Sequence, residues 1–236
     1  MFGYDRAIVE RFPTIRAGVV HATGLANGPS PSDLVDAYQL EQRAVLERLG
    51  TTAIADHSSI AAWRRAFSAF GAKPTQYRNA AEALLRRLHK HGDIPSISTL
   101  VDIGNLVSIR YAMPVAVFDR AEVAGSITVR FSDGTEPFTD LGSSASVRPE
   151  PGEVVFVDDN DEVCARRWCW RQSARSATSA DTVEALFVVE GHHDSAAADI
   201  ELALGLLAEL LAAHQPDAET TAYALSPTHS ATGSSS

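Results

Sequence analysis

At Pro114 the chain changes its hydrophobic rhythm, and that change restricts the folds open to it. Before Pro114, apolar residues recur at helical spacing: Leu34, Tyr38, Val45 and Leu49; then Ile60, Trp63, Phe67 and Phe70; then Leu84, Leu85 and Leu88. After it come short β-branched runs at Val115–Phe118, Ile127–Phe131, Glu153–Val157, Glu162–Trp170 and Val183–Val189, with turn signals at Asp133-Gly134 and Asp158-Asp159-Asn160-Asp161. An early strand within Phe12–Leu25 and a last helix over about Ala197–Ala213 complete the order: strand, four helices, a run of strands, helix. Strand and helix do not alternate, which excludes a doubly wound parallel sheet. The pattern predicts an α+β fold, with helices against a mainly antiparallel sheet.

The helix ends are marked. Ser30-Pro31-Ser32-Asp33 reads as a start, with a capping serine, a proline suited to the first turn and an acid at the positive end of the dipole. Asn79 followed by Glu82 reads as a capping box, and Gly50 and Gly71 read as stops. The fourth helix, from Ser96 towards Tyr111, is apolar nearly all round, as a buried helix is. Residues 1–213 are expected to form a single domain. The Pro/Thr/Ser/Ala-rich residues 214–236 are expected to be a disordered tail.

With 236 residues, 45% of them hydrophobic, the chain is long enough for a substantial core. No run approaches the roughly 18 apolar residues of a membrane span. The start lacks the pattern of a signal peptide. Two cysteines, Cys164 and Cys169, suit a reducing cytoplasm and exclude a disulfide scaffold. Their offset in an expected strand places them on opposite faces, which is poor for a shared metal. His192-His193-Asp194 reads as an exposed turn, and neither a metal nor another cofactor is expected. The net charge of −10 excludes a uniformly basic nucleic-acid binder, but charge is segregated. Residues 57–120 hold nine Lys/Arg against four acids, and residues 164–175 hold four arginines and no acid. Such segments set up a local field for a polyanion, or else are solvated helix faces.

Two groups of residues stand out as candidates. Asp102 and Asn105, three apart on the buried helix, share a face and need partners, either as a structural network or as the polar wall of a pocket. Arg166-Arg167-Trp168-Cys169-Trp170-Arg171-Gln172, read as a strand, alternates tryptophan with arginine, a stacking platform with an anion clamp.

Ile97–Ser108 (ISTLVDIGNLVS), continuing to Met113-Pro114-Val115-Ala116-Val117-Phe118-Asp119, resembles the B3/B4 domain of the phenylalanyl-tRNA synthetase β subunit, where the stretch reads roughly VVDVTNYV, a spacer, then QPMHAFD. From about Phe12 to Ala213 the chain resembles freestanding B3/B4 proteins, with their Trp-Arg-x-Ala-Phe (Trp63–Phe67), Lys-Pro-x-x-Tyr-Arg (Lys73–Arg78) and Arg-Arg-Trp-x-Trp-Arg (Arg166–Arg171) stretches. The resemblance implies an α+β domain that edits misacylated tRNA, hydrolysing the ester with a positioned water. Asn105 matches the asparagine beside the editing pocket. Gly104 stands where the synthetase has threonine, Ala116 where it has histidine, and Gln172 near a pocket glutamate.

The expectation is therefore a cytoplasmic trans-editing hydrolase acting on the aminoacylated 3′ end of tRNA, and not a complete aminoacyl-tRNA ligase. Asn105 and Gln172 are expected to be catalytic. Arg78, Asp102, Arg167, Trp168, Trp170 and Arg171 are expected to bind substrate. Translation proteins are further expected partners, and membrane and DNA are not. The missing histidine motivates an alternative, a non-catalytic binding module for tRNA or a translation protein. The acidity motivates another, a hydrolase or sensor of a small amino-acid-like ligand.

Overall fold

The fold is α+β, as the order of periodicities predicts. The computed structural model describes residues 1–226. Their elements are β1 (Phe2–Tyr4), α1 (Arg6–Arg11), β2 (Arg16–Thr23), α2 (Ser32–Leu49), a 3₁₀ turn at Ile54–Asp56, α3 (Ser58–Ala69), α4 (Ala80–His91), α5 (Thr99–Tyr111), β3 (Val115–Asp119), β4 (Ile127–Phe131), β5 (Phe138–Thr139), β6 (Ser146–Val147), β7 (Val154–Val157), β8 (Val163–Arg166), β9 (Arg171–Gln172), β10 (Glu184–Gly191), α6 (Ala196–His214) and β11 (Glu219–Leu225). A five-stranded sheet has the order β1-β4-β7-β8-β9 and a four-stranded sheet the order β11-β2-β10-β3, with β5 and β6 paired apart. Only β1 and β4 pair in parallel; every other strand pair among the described residues is antiparallel. Among the described residues no helix is long and apolar enough to cross a membrane.

The four-stranded sheet divides two cores. Ala185, Phe187 and Val189 of β10 enter a core shared with α2, α4, α5 and α6, while Leu186 and Val188 enter a core shared with the five-stranded sheet, α1 and α3. A strand buried on both faces has no reason to alternate polar with apolar, which accounts for the unbroken run Ala185–Val189. By the same period of two, Glu190 lies on the face of Leu186 and Val188, between the sheets. On β3, Ala116 pairs with Val188 across the ladder. Helix α5 approaches this sheet closely at Gly104, where an added Cβ would stand 2.9 Å from Val117 Cγ2.

Three expectations are corrected. The tail is ordered through most of its first half: Gln215 exchanges hydrogen bonds with both backbone groups of Ala26, and β11 pairs with Ala17–Thr23 of β2. The pairing of β11 is made by backbone, so the polar sequence of the strand did not announce it. Residues 227–236, the rest of the expected tail, lie outside the described residues. The expected strand Glu162–Trp170 stops at Arg166, because Arg167 and Trp168 take left-handed conformations with φ of 43° and 58°. The alternation of Trp and Arg faces is therefore not realised. Finally, His192 and His193 are buried. The His192 ring packs edge-on against Trp63 and Trp168, its pKa pushed down to about 3 chiefly by burial, and His193 Nε2 meets Asp199 at 2.8 Å.

Candidate active site

Glu153 builds the turn that carries the two tryptophans. Its carboxylate takes the Arg166 guanidinium in a fork, Nε and Nη2 each at 2.9 Å, and accepts from the Arg167 backbone N–H at 2.9 Å. The Trp168 N–H donates to Val154 O at 2.6 Å. Left-handed geometry costs a non-glycine residue energy and persists where surroundings hold it. Here four hydrogen bonds, two of them charge-assisted from a guanidinium, hold two such residues. The outcome is that Trp168 points inward. It is fully buried, packs against Phe12, Trp63 and His192, and donates its indole N–H to Glu190 Oε1 at 3.0 Å.

Glu190 is the buried acid of β10 and lies between the sheets. It is 2% exposed, and Oε1 also accepts the Tyr4 hydroxyl at 2.6 Å. Burial raises its pKa to about 7, against the lowering effect of the two donors. The same desolvation and the neighbouring carboxylate push the Tyr4 phenol well above its ordinary value, so it stays a donor. Oε2 receives no hydrogen bond from the described residues. Glu190 lines a cavity of 70 Å³, whose walls include Ala116, Cys169, Trp170, Gln172 and Val188. A carboxyl half-ionised near neutrality, with one oxygen fixed and the other free of hydrogen bonds in a residue beside a cavity, is suited to accepting a proton from a bound water.

The residues expected from sequence divide between this cavity and elsewhere. Gln172 lines it, but both amide hydrogens are engaged, by Val117 O at 2.8 Å and Ser176 O at 2.9 Å. Trp170 is a wall, not a free platform: Tyr77 meets it edge-on, and the guanidinium carbons of Arg167 and Arg171 stand 5.0 and 4.8 Å from its ring. Arg167 also stacks on Tyr77 at 3.9 Å and pairs with Glu153 at 3.5 Å, so it is a structural clamp. Arg171 pairs with Asp140 at 2.6 Å and keeps about half its side chain in solvent. Trp168 is fully buried and has no exposed face for a base.

Asn105 and Asp102 are not brought to the cavity. Both belong to α5, on the other side of the four-stranded sheet. Asn105 lies beside the buried hydroxyl of Tyr38. Asp102 is fully buried and accepts from Ser30 Oγ at 2.6 Å, from Ser96 Oγ, and from the Ile97 N–H at 3.0 Å. It thus ties the segments leading into α2 and α5, which corrects its reading as a substrate contact. Asn105 and Gln172 are too differently placed to orient one water together.

Arg78 belongs to a basic cluster. Helix α4 begins at Asn79, whose side chain accepts the Glu82 N–H at 2.9 Å. Glu82 is fully buried, and its Oε1 is met by Arg64 at 2.9 Å, Arg86 at 2.8 Å and Arg78 at 3.9 Å. Three guanidiniums on one carboxylate leave a net positive charge, with Arg78 and Arg86 each about two-fifths exposed. Adjacent in sequence, Ala80 lines the cavity and its N–H donates to Cys169 O at 2.9 Å, so cluster and cavity share one wall. Among the described residues no group of three or more His, Cys, Asp or Glu is placed to hold a metal.

The family model described as the B3/4 domain matches residues 62–215, from α3 through α6. The chain belongs to the B3/4 domain family. Relatives include the phenylalanine–tRNA ligase β subunits of Chromobacterium violaceum (36% identity over 74 residues, 31% of this chain and 9% of the relative) and Shewanella oneidensis (37% over 73 residues, again 31% and 9%). That of Streptomyces avermitilis is 36% identical over 81 residues, 34% of this chain and 9% of the relative. The match of this B3/4 protein thus spans about a tenth of the length of those subunits. An N-terminal fragment of the phenylalanyl-tRNA synthetase β subunit of Pyrococcus horikoshii covers 93% of the chain and is itself covered over 50%, at 12% identity and a TM-score of 0.48.

The residue that sequence reasoning missed in this B3/4 protein is Glu190. One signal was present: an acid directly continuing the run Leu186-Phe187-Val188-Val189, where a charge has no water to meet.

Proposed function

We propose that this B3/4 protein is a cytoplasmic hydrolase that removes a wrongly attached amino acid from the 3′ end of tRNA in trans. The observation that carries the reading is the buried carboxyl of Glu190, anchored at Oε1 by Tyr4 and Trp168, with Oε2 left free of hydrogen bonds in a residue that lines a cavity. In the reaction, water held by Oε2 attacks the ester carbonyl carbon. Its proton passes to Glu190, the carbonyl–ribose oxygen bond breaks, and the proton passes on to the departing ribose oxygen. Amino acid and free tRNA result. Glu190 is the catalytic residue of this scheme and Tyr4 and Trp168 are positioning residues. Gln172 and Trp170 shape the wall, and Arg78, with Arg64 and Arg86, receives backbone phosphates beside the cavity. The kinship with phenylalanine–tRNA ligase β subunits supports an aminoacyl-tRNA as substrate.

The test is disappearance of the aminoacyl ester from a panel of correctly and wrongly charged tRNAs. Hydrolysis of a wrongly charged member, abolished in Glu190→Gln, is expected. Ala116 at the family histidine position and the engaged amide of Gln172 favour a second reading, a non-catalytic tRNA-binding module. That reading predicts tight tRNA binding with no hydrolysis above the spontaneous rate.

A further inference from the structure

A strand at the edge of a sheet presents unpaired N–H and C=O groups that another strand can take up. Three of the four edges of the two larger sheets are guarded. The strands that end the five-stranded sheet, β1 and β9, have only three and two residues. One end of the four-stranded sheet, β3, is covered. Val117 O accepts from the Gln172 amide at 2.8 Å, the Asp119 N–H donates to Ser176 O at 2.9 Å, and Phe118 bridges to Ala177.

The other end, β11, is left open. It has seven residues, and beyond the ladder with β2 none of their backbone groups hydrogen-bonds to a described residue. Ala222 and Ala224, with only methyl groups to shield the backbone, are exposed. The devices that deter pairing are missing from the strand: it holds no Lys, Arg or Pro, and its register with β2 runs unbroken.

We propose that β11 pairs antiparallel with β11 of a second copy of this chain, joining two four-stranded sheets into one of eight strands about a two-fold axis. Centred on Ala222, the pairing uses all seven residues. It sets Glu219 opposite Leu225, Thr220 opposite Ala224 and Thr221 opposite Tyr223 across the axis. No charge meets its like, and a β-branched residue meets an aromatic one, a favourable cross-strand pair. The net charge of −10 opposes the approach of two copies, but at physiological ionic strength it is screened beyond about 8 Å. Residues 227–236 open on Pro227 and close on Gly-Ser-Ser-Ser, a composition poor in strand formers, which favours a second copy over this segment as the occupant. The axis stands at the opposite edge from β3, whose Ala116 lines the Glu190 cavity, so pairing leaves both cavities free. The pairing does not depend on the hydrolase reading above.

Sedimentation of the full chain at physiological salt, over about a hundredfold range of concentration, tests it. The expected result is a rise from the 25.2 kDa of one chain towards twice that mass. Ala222→Lys and Ala222→Glu each place like charges opposite one another on the axis and are expected to weaken the dimer on the order of fivefold or more. Mixing the two variants is expected to restore it. Circular dichroism matching the parent shows that each variant is folded. A single chain at every concentration would overturn the proposal, as would a dimer indifferent to both variants. Deletion of residues 227–236 is expected to leave the equilibrium unchanged. Dimers formed only after that deletion would make this segment the occupant of the edge and overturn the proposal.

Discussion

The Tyr4 hydroxyl donates to Glu190 at 2.6 Å across 186 residues of sequence, joining the first strand of one sheet to an inner strand of the other. The bond stabilises the ionised carboxyl against the burial that raises its pKa. Tyr4→Phe removes that donor, so the Glu190 pKa is expected to rise above about 7. A carbon-13 titration of the Glu190 side chain checks it. A midpoint unmoved or lowered in the variant would deny Tyr4 this role.

The raised pKa has a consequence for stability. Because Glu190 holds its proton more tightly folded than unfolded, folding takes up protons between the unfolded value near 4.5 and the folded value near 7. Stability from this group is full below the lower value and is lost as pH rises through the upper one. Glu190→Gln abolishes this loss while keeping an acceptor for Tyr4 and Trp168. The variant is expected to be more stable than the parent at pH 8, by on the order of 3 kcal/mol at most, with the difference vanishing at pH 4. Denaturant melts across that range report it, and a gap that widens on acidification would reverse the argument.

Asp102 accepts three hydrogen bonds in a fully buried position. Asp102→Ala leaves two hydroxyls and one N–H without their acceptor and is expected to cost about 3 kcal/mol. Hydrolysis per folded molecule is expected to stay near the parent value. A folded variant with normal melting and a collapsed rate would return Asp102 to the substrate.

The arginines make a contrast. Arg64→Gln with Arg86→Gln removes two charges from the cluster on Glu82. tRNA affinity is expected to fall, and the slope of log K against log salt to lessen by about 0.7–0.9 for each phosphate no longer neutralised. Arg167→Ala, a clamp on Tyr77, Trp170 and Glu153, is expected to lower the melting temperature and leave the slope alone. Filter binding at several salt concentrations separates the two, and the opposite assignment of effects would refute this division of the basic residues.

Local signals in the sequence were reliable where the cause was local. The Asn79–Glu82 cap forms between residues three apart, and the Ile60–Trp63–Phe67 stripe of α3 is buried as its spacing predicts. What was illegible came from distant partners. The strand breaks at Arg167 because Glu153, fourteen residues earlier, holds the turn. β11 exists because β2 offers it an edge. Tyr4 and Trp168 meet Glu190 only through the stacking of two sheets, so the centre of the site could not be assembled from motifs, and Asn105, matched by motif, lies away from it.

The two-sided burial of β10 also bears on how faithfully the chain reaches this structure. A slip of β10 by one residue against β2 and β3 would drive Glu190 into the helical core and bring Val189 to the cavity, stranding a carboxyl among leucines and forfeiting both Tyr4 and Trp168. The acid that serves the site is thereby also a proofreading mark for strand alignment during folding, since only one register gives it donors.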